Sequence, residues 1–258
     1  MNNVLINGYG NIGKYMYEEL KPLLKHGYNI DIYDPYIEEY KVKKDIPYEV
    51  EFICVPTNNN VGNIVDTSIV EELVRQSKAE YTVIKSTVPI GFCDRMCKTK
   101  KQLVYSPEYW GTTQHAPKSL DFLVLAGDQK DCDKIAQLYY KIKSGTFKIR
   151  FTNYKAAELA KYMENCFLGL KVTFCCEFAD IAKDFGVSYP ELREIFVMDP
   201  RMGDSHTFVD PEQPYYDSHC LNKDIPALVE QSDKAKLMKE VVNINLTRKD
   251  ECTRSFEN

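Results

Sequence analysis

Short apolar runs recur through the first 150 residues at positions 4–6, 30–33, 52–55, 83–84, 103–104 and 123–125, with amphipathic stretches between them. Apolar runs this short, bounded by helix-period segments, predict strands buried on both faces of a parallel sheet, built from βαβ units. From about Asn153 the pattern changes. Residues 154–185 run without proline and with only Gly169 among them, which predicts one long helix stopped by Gly186. Ser188-Tyr189-Pro190 opens a second helix, and residues 235–248 form a last one. The stretch 199–224, rich in Pro, Asp, Ser and His, is too long for a plain connection. The pattern therefore divides the chain into an α/β part over 1–150 and an all-α part over 151–258. It shows no internal repeat.

Composition narrows the function classes. Among 258 residues, 28% are charged and 44% hydrophobic, the balance of a globular chain able to bury a core without metal or disulfide staples. A net charge of -5 gives no basic field for nucleic acid or an anionic membrane surface. No apolar stretch approaches membrane-spanning length, and Met-Asn-Asn followed by Val4-Leu5-Ile6 lacks the basic and long apolar regions of a secretory signal. Nine cysteines, with no Cys-x-x-Cys pair, point to reduced thiols, a cytoplasmic location and no bound metal.

The first chemical motif is Gly8-Tyr9-Gly10-Asn11-Ile12-Gly13, which follows the first strand and opens a helix. Its glycines serve a tight turn, close approach of backbone to a pyrophosphate, and helix–strand packing, and the helix N-terminus faces the phosphates. Asp34 lies 21 residues after Gly13, at the end of the second apolar run, where a carboxylate accepts from ribose hydroxyls. Pro35-Tyr36-Ile37 supplies no arginine for a 2′-phosphate, so NAD is expected over NADP. The α/β part is thus expected to be a Rossmann-like NAD-binding domain.

Further segments occur in a telling order. They are Val55-Pro56-Thr57, then residues 65–72, then Lys85-Ser86-Thr87-Val88-Pro89-Ile90-Gly91, then Ser106-Pro107-Glu108-Tyr109-Trp110. After them come residues 157–168 of the long helix, Asp199-Pro200-Arg201-Met202-Gly203 and Cys220-Leu221-Asn222-Lys223-Asp224. Together they resemble the UDP-glucose/GDP-mannose dehydrogenase family, whose NAD-dependent members oxidise a sugar alcohol to a carboxylate. The resemblance implies a helical dimerisation domain after the Rossmann-like sheet, a homodimer, and a nucleotide-sugar substrate of the UDP-glucose type.

Two oxidations at one carbon require the aldehyde to be held between them, and a thiolate does so as a thiohemiacetal that becomes a thioester. Cys220 matches the family's nucleophile. Lys161 and Asn165, spaced i, i+4, share a helix face, and their family counterparts stabilise the oxyanion; Leu159, Met163, Cys166 and Leu170 make an apolar side. By the same resemblance Asp224 works with the lysine, Glu108 is the base for thioester hydrolysis, and Thr87 positions water. Val55, Thr57 and Lys223 would join the cofactor site. Tyr109 and Trp110 would contact substrate, and Arg201 would reach the sugar nucleotide of a neighbouring subunit.

Three departures temper the resemblance. Tyr216-Asp217-Ser218-His219 stands where the family has an aromatic residue, two glycines and a small residue, so close backbone approach to the sugar is expected to change. Thr112 replaces an acidic residue. The family continues into a second Rossmann-like domain that closes over the nucleotide, whereas this sequence ends at Asn258, and a separate chain is one expected source of that half. Two alternatives follow: a non-catalytic NAD-binding dimeric scaffold, or a β-hydroxyacid-type dehydrogenase. Two, none or one NADH per substrate distinguishes the three.

Overall fold

The computed structural model describes residues 2–60, 62–111 and 120–256. A seven-stranded sheet is built from β1 (Asn3–Asn7), β2 (Asn29–Tyr33), β3 (Val50–Ile53), β4 (Tyr81–Ile84), β5 (Leu103–Tyr105), β6 (Phe122–Gly127) and β7 (Lys148–Thr152), in the order β2-β1-β3-β4-β5-β6-β7. Around it lie α1 (Asn11–Leu20), α2 (Ser68–Gln76), α3 (Phe92–Met96) and α4 (Gln129–Ile142). The remaining helices are α5 (Tyr154–Asp184), α6 (Tyr189–Phe196), α7 (His219–Gln231) and α8 (Lys236–Phe256).

The apolar runs become strands because their side chains fill two layers at once. Val4, Ile6, Phe52, Val83 and Leu125 join one buried cluster with Met16, Leu20, Ile135 and Tyr139. Ile53, Ile84, Leu103 and Tyr105 join the other with Val70, Phe92, Tyr154 and Ala157. Two features depart from the parallel six-strand pattern. β6 runs antiparallel to β5, and β7 adds an edge strand parallel to β6. Lys148-Ile149-Arg150-Phe151-Thr152 alternates charged and apolar positions, as an edge strand does, so it offers no continuous apolar run to find. Strand direction leaves no trace in a fully buried run, because both orientations bury the same side chains.

Contacts divide the chain into two compact units, Met1–Asn58 with Val65–Lys161, and Asn59–Ile64 with Tyr162–Asn258. α5 therefore starts in the first unit, where Tyr154 and Ala157 belong to the sheet's core, and continues into the second. In that second unit Cys166, Tyr216, Leu221, Ile225 and Val241 form the core. Gly169 lets α7 approach α5, since a Cβ there would stand 2.3 Å from Ile225 Cδ1. Asn245 of α8 clamps the segment before α7 by accepting from the Tyr216 amide at 2.8 Å and donating to its carbonyl at 3.0 Å.

Candidate active site

The sheet order reverses between β1 and β3, the switch point where open α/β sheets bind ligands beyond their strand ends. The turn after β1 is Gly8-Tyr9-Gly10, closed by the Gly8 amide donating to the Tyr33 carbonyl at 2.8 Å. Gly8 has φ +93, and a Cβ on Gly13 would lie 2.0 Å from the Gly8 carbonyl oxygen, so the tight turn depends on both residues. At Gly10 an added Cβ would meet nothing within 4 Å, leaving open space over the turn. No side chain caps α1 there, so Asn11, Ile12 and Gly13 present first-turn amides in the way that suits a pyrophosphate.

Asp34 follows β2 directly. Its Oδ2 accepts from the Tyr9 amide at 2.8 Å and its Oδ1 from the Tyr36 amide at 2.9 Å, which aims the carboxylate while leaving lone pairs for ribose hydroxyls. Across the switch point, the Thr57 hydroxyl donates to the Thr87 carbonyl at 2.7 Å and the Ser86 hydroxyl to the Val55 carbonyl at 2.6 Å. These residues fit a dinucleotide; NAD, if bound, would rest its pyrophosphate on the glycine turn and its adenosine ribose on Asp34.

Glu108 is a firmly held carboxylate of the same unit. Its Oε1 accepts from the Tyr109 and Trp110 amides, each at 3.0 Å, and its Oε2 lies 3.1 Å from Lys85 Nζ. Lys85 and Glu108 expose only 2% and 5% of their side chains, so each is the charge partner the other needs. Within the 85–91 motif Lys85 has no role of its own in the sequence pattern; its position at the end of a buried strand is the signal for one. Trp110 stacks on Tyr15 at 4.9 Å, and Lys161 Nζ lies 5.0 Å from the Tyr109 ring centre. Tyr15 is a further residue the sequence did not single out; burial pushes its hydroxyl well above the usual range.

On α5, Lys161 and Asn165 lie on the buried face, while Leu159 and Met163 of the apolar side are exposed. In the second unit Asn165 Nδ2 donates to Asp224 Oδ2 at 2.5 Å, and Lys223 Nζ pairs with Asp224 Oδ1. Each oxygen of the buried Asp224 thus has one partner, and the Lys223 ammonium rests on it. Cys220 is exposed and lies in the first turn of α7, not in the expected loop. Ser218 caps that helix by accepting from the Leu221 amide at 3.3 Å. By contrast, burial pushes the thiols of Cys54, Cys132 and Cys166 up to about 12 and that of Cys176 to about 11, which keeps them protonated and inert at neutral pH.

Asp217 accepts from Asn222 and Lys249, each at 2.7 Å, and these two donors hold its carboxyl below the usual carboxylate range. Arg201 is largely exposed and folds back on Asp199, its Nε donating to both oxygens at 3.0 Å. Thr112 lies outside the described residues. Among the described residues no His, Cys, Asp or Glu cluster is arranged to hold a metal, and no helix is long and apolar enough to cross a membrane.

A sheet with a glycine-rich turn at its switch point, joined through one long helix to an all-α unit, defines a Rossmann-type protein with a helical second part. Residues 155–247 match the UDP-glucose/GDP-mannose dehydrogenase family, central domain. It is 28% identical over 224 residues to a UDP-glucose 6-dehydrogenase of Rhizobium meliloti, covering 78% of this chain and 51% of that protein. It is 27% identical over 212 residues to a UDP-N-acetyl-D-mannosamine dehydrogenase of Methanocaldococcus jannaschii, covering 76% and 48%. A UDP-glucose dehydrogenase structure from Pyrobaculum islandicum shares the fold, with TM-score 0.78 and 20% identity over 96% of this chain and 68% of that one. The chain spans about half the length of the curated relatives it matches. The family is NAD-dependent.

Proposed function

We propose that this chain carries the cofactor and catalytic parts of an NAD-dependent nucleotide-sugar 6-dehydrogenase acting on a UDP-sugar of the glucose type. The observation that carries this reading is the buried Asn165–Asp224 bond of 2.5 Å, which ties the long helix to the helix bearing Cys220. A scaffold has no need to bury a hydrogen-bonded Asn–Asp–Lys group beside an exposed thiol.

When bound, NAD supplies a hydride acceptor for each of two oxidations. Lys161 and Asn165 stabilise the negative charge that develops on the sugar oxygen, a task suited to fixed donors. The Cys220 thiolate adds to the aldehyde carbon, and the resulting thiohemiacetal is oxidised to a thioester. Glu108 takes a proton from water as that water attacks the thioester carbon; the C–S bond breaks, releasing the carboxylate and restoring the thiolate. Thr87 positions the water, and Asp224 holds Asn165 and Lys223 in place. Tyr109 and Trp110 line the sugar side, and Arg201 serves the site of a second copy.

The helical unit supports a homodimer. Met163, Phe167, Phe174, Phe178 and Ile181 form an exposed apolar stripe along α5, with Met163 72% and Phe167 58% exposed. A cytoplasmic enzyme is expected from its cofactor and thiols.

The test is a panel of UDP-, GDP- and dTDP-sugars with NAD, followed at the nicotinamide absorbance and by product mass. Two NADH per carboxylate are expected. Cys220→Ala should abolish turnover, Cys220→Ser should permit the first oxidation but form an ester too slow to hydrolyse, and Glu108→Gln should accumulate a covalent adduct visible by intact mass. Carboxylate formation by Cys220→Ala removes the thioester route, and one NADH per substrate points to a β-hydroxyacid-type reaction. NAD binding without NADH formation, with the sugar-nucleotide half supplied, leaves the scaffold.

A further inference from the structure

Glu158 takes no part in the chemistry above, yet its side chain is 0% exposed on the first turns of α5. Its Oε2 accepts from the Gly91 amide at 2.6 Å and its Oε1 from the Cys93 amide at 2.8 Å. Those amides flank the turn into α3, where Gly91 holds φ +86. The segment leading there, residues 85–91, carries Thr87 and is tied at its other end to Val55 and Thr57 through the Ser86 and Thr57 hydroxyls. It is therefore clasped between the cofactor side of the sheet and a helical position one turn before Lys161. Tyr154 and Ala157, neighbours of Glu158 on α5, pack in an apolar cluster. Helix packing alone is served there by an apolar side chain, without the cost of burying a carboxylate.

We propose that Glu158 is a positioning residue, whose two hydrogen bonds hold the Thr87 segment in register with Lys161. This rests on the dehydrogenase reading. The latch needs the ionised form: a protonated carboxyl turns an O–H toward an N–H and loses one acceptor. Burial raises the Glu158 pKa above the ordinary glutamate value, against its bonds to the Gly91 and Cys93 amides and to the Cys93 side chain. The charged group facing it from α3 is Asp94, itself 3.5 Å from Lys155 on α5.

The test uses Glu158→Gln in the full chain. Hydrogen exchange across residues 87–93 should quicken by about tenfold or more. NAD affinity by calorimetry should stay within about twofold, while kcat falls roughly tenfold to a hundredfold with KM for NAD little changed. An acid limb in the wild-type kcat profile should be missing from the variant, and Glu158→Asp, which keeps the charge, should fall between the two. Wild-type exchange and kcat in Glu158→Gln would overturn the proposal. So would a loss of kcat matched by an equal loss of NAD affinity and a general fall in melting temperature. If the parent protein forms no NADH with any sugar nucleotide, the dehydrogenase reading fails on its own, and exchange decides the latch: a tenfold rise supports it and unchanged rates refute it.

Discussion

Asp34 shows how much of a candidate site a sequence can carry. Its distance from the glycine turn is set by one strand–helix–strand unit, and the structure aims it with two backbone amides. Calorimetry should therefore give tighter binding of NAD than of NADP, with Asp34→Ala narrowing the gap; equal affinities in the parent protein would refute the assignment. Lys85 shows the opposite case. Nothing in Lys85-Ser86-Thr87 reveals that its ammonium is the ion partner of Glu108, because that pairing spans 23 positions and two strand ends. Lys85→Met should leave a buried carboxylate without its cation and cost about 3–5 kcal/mol, read from denaturant unfolding. A loss under about 1 kcal/mol would mean that the two backbone amides suffice.

At the level of elements, the proline-free run up to Gly186 located the long helix almost to the residue, predicted at 154–185 and found at Tyr154–Asp184. Periodicity put Lys161 and Asn165 on one face. It left open which face is buried, and the structure turns the polar pair inward and Leu159 and Met163 outward. α7 was less legible. Asp217 and Ser218 read as loop residues, yet Ser218 is the N-cap, and Asp217 binds Lys249 of α8. The cap lies one residue before His219, so the whole Cys-x-x-Lys-Asp motif is helical. The glycine turn gives a prediction at this scale. Gly13→Ala brings a Cβ against the Gly8 carbonyl oxygen at 2.0 Å, backbone that has no rotamer to yield. The expected outcome is about 1–3 kcal/mol or more of destabilisation, with weakened NAD binding even where the variant stays folded; wild-type melting and affinity would contradict it.

For the molecule as a whole, the exposed stripe on α5 predicts a dimer mass by light scattering at micromolar concentration. Met163→Asp should shift the population toward monomer, and a monomeric parent protein would count against the dimer. Stability should also respond to pH through Glu158. Its native pKa lies above the ordinary 4.5, so the folded state binds this proton more tightly than the unfolded chain. That contribution is complete below the unfolded value and is lost as pH rises through the native one. The melting temperature of the wild type should therefore fall relative to Glu158→Gln across this window; parallel curves would show that the carboxyl is not perturbed. By itself the sequence determined the α/β class, the glycine turn with its acidic partner and the long helix. Each of these is written in local spacing, either helix or strand period or the few residues of a turn. Only the tertiary structure decided the antiparallel β6, the edge strand β7, the Lys85–Glu108 and Asn165–Asp224 partnerships and the Glu158 latch. Those depend on which distant groups must share a buried space, and desolvation makes such groups find partners that no local pattern records.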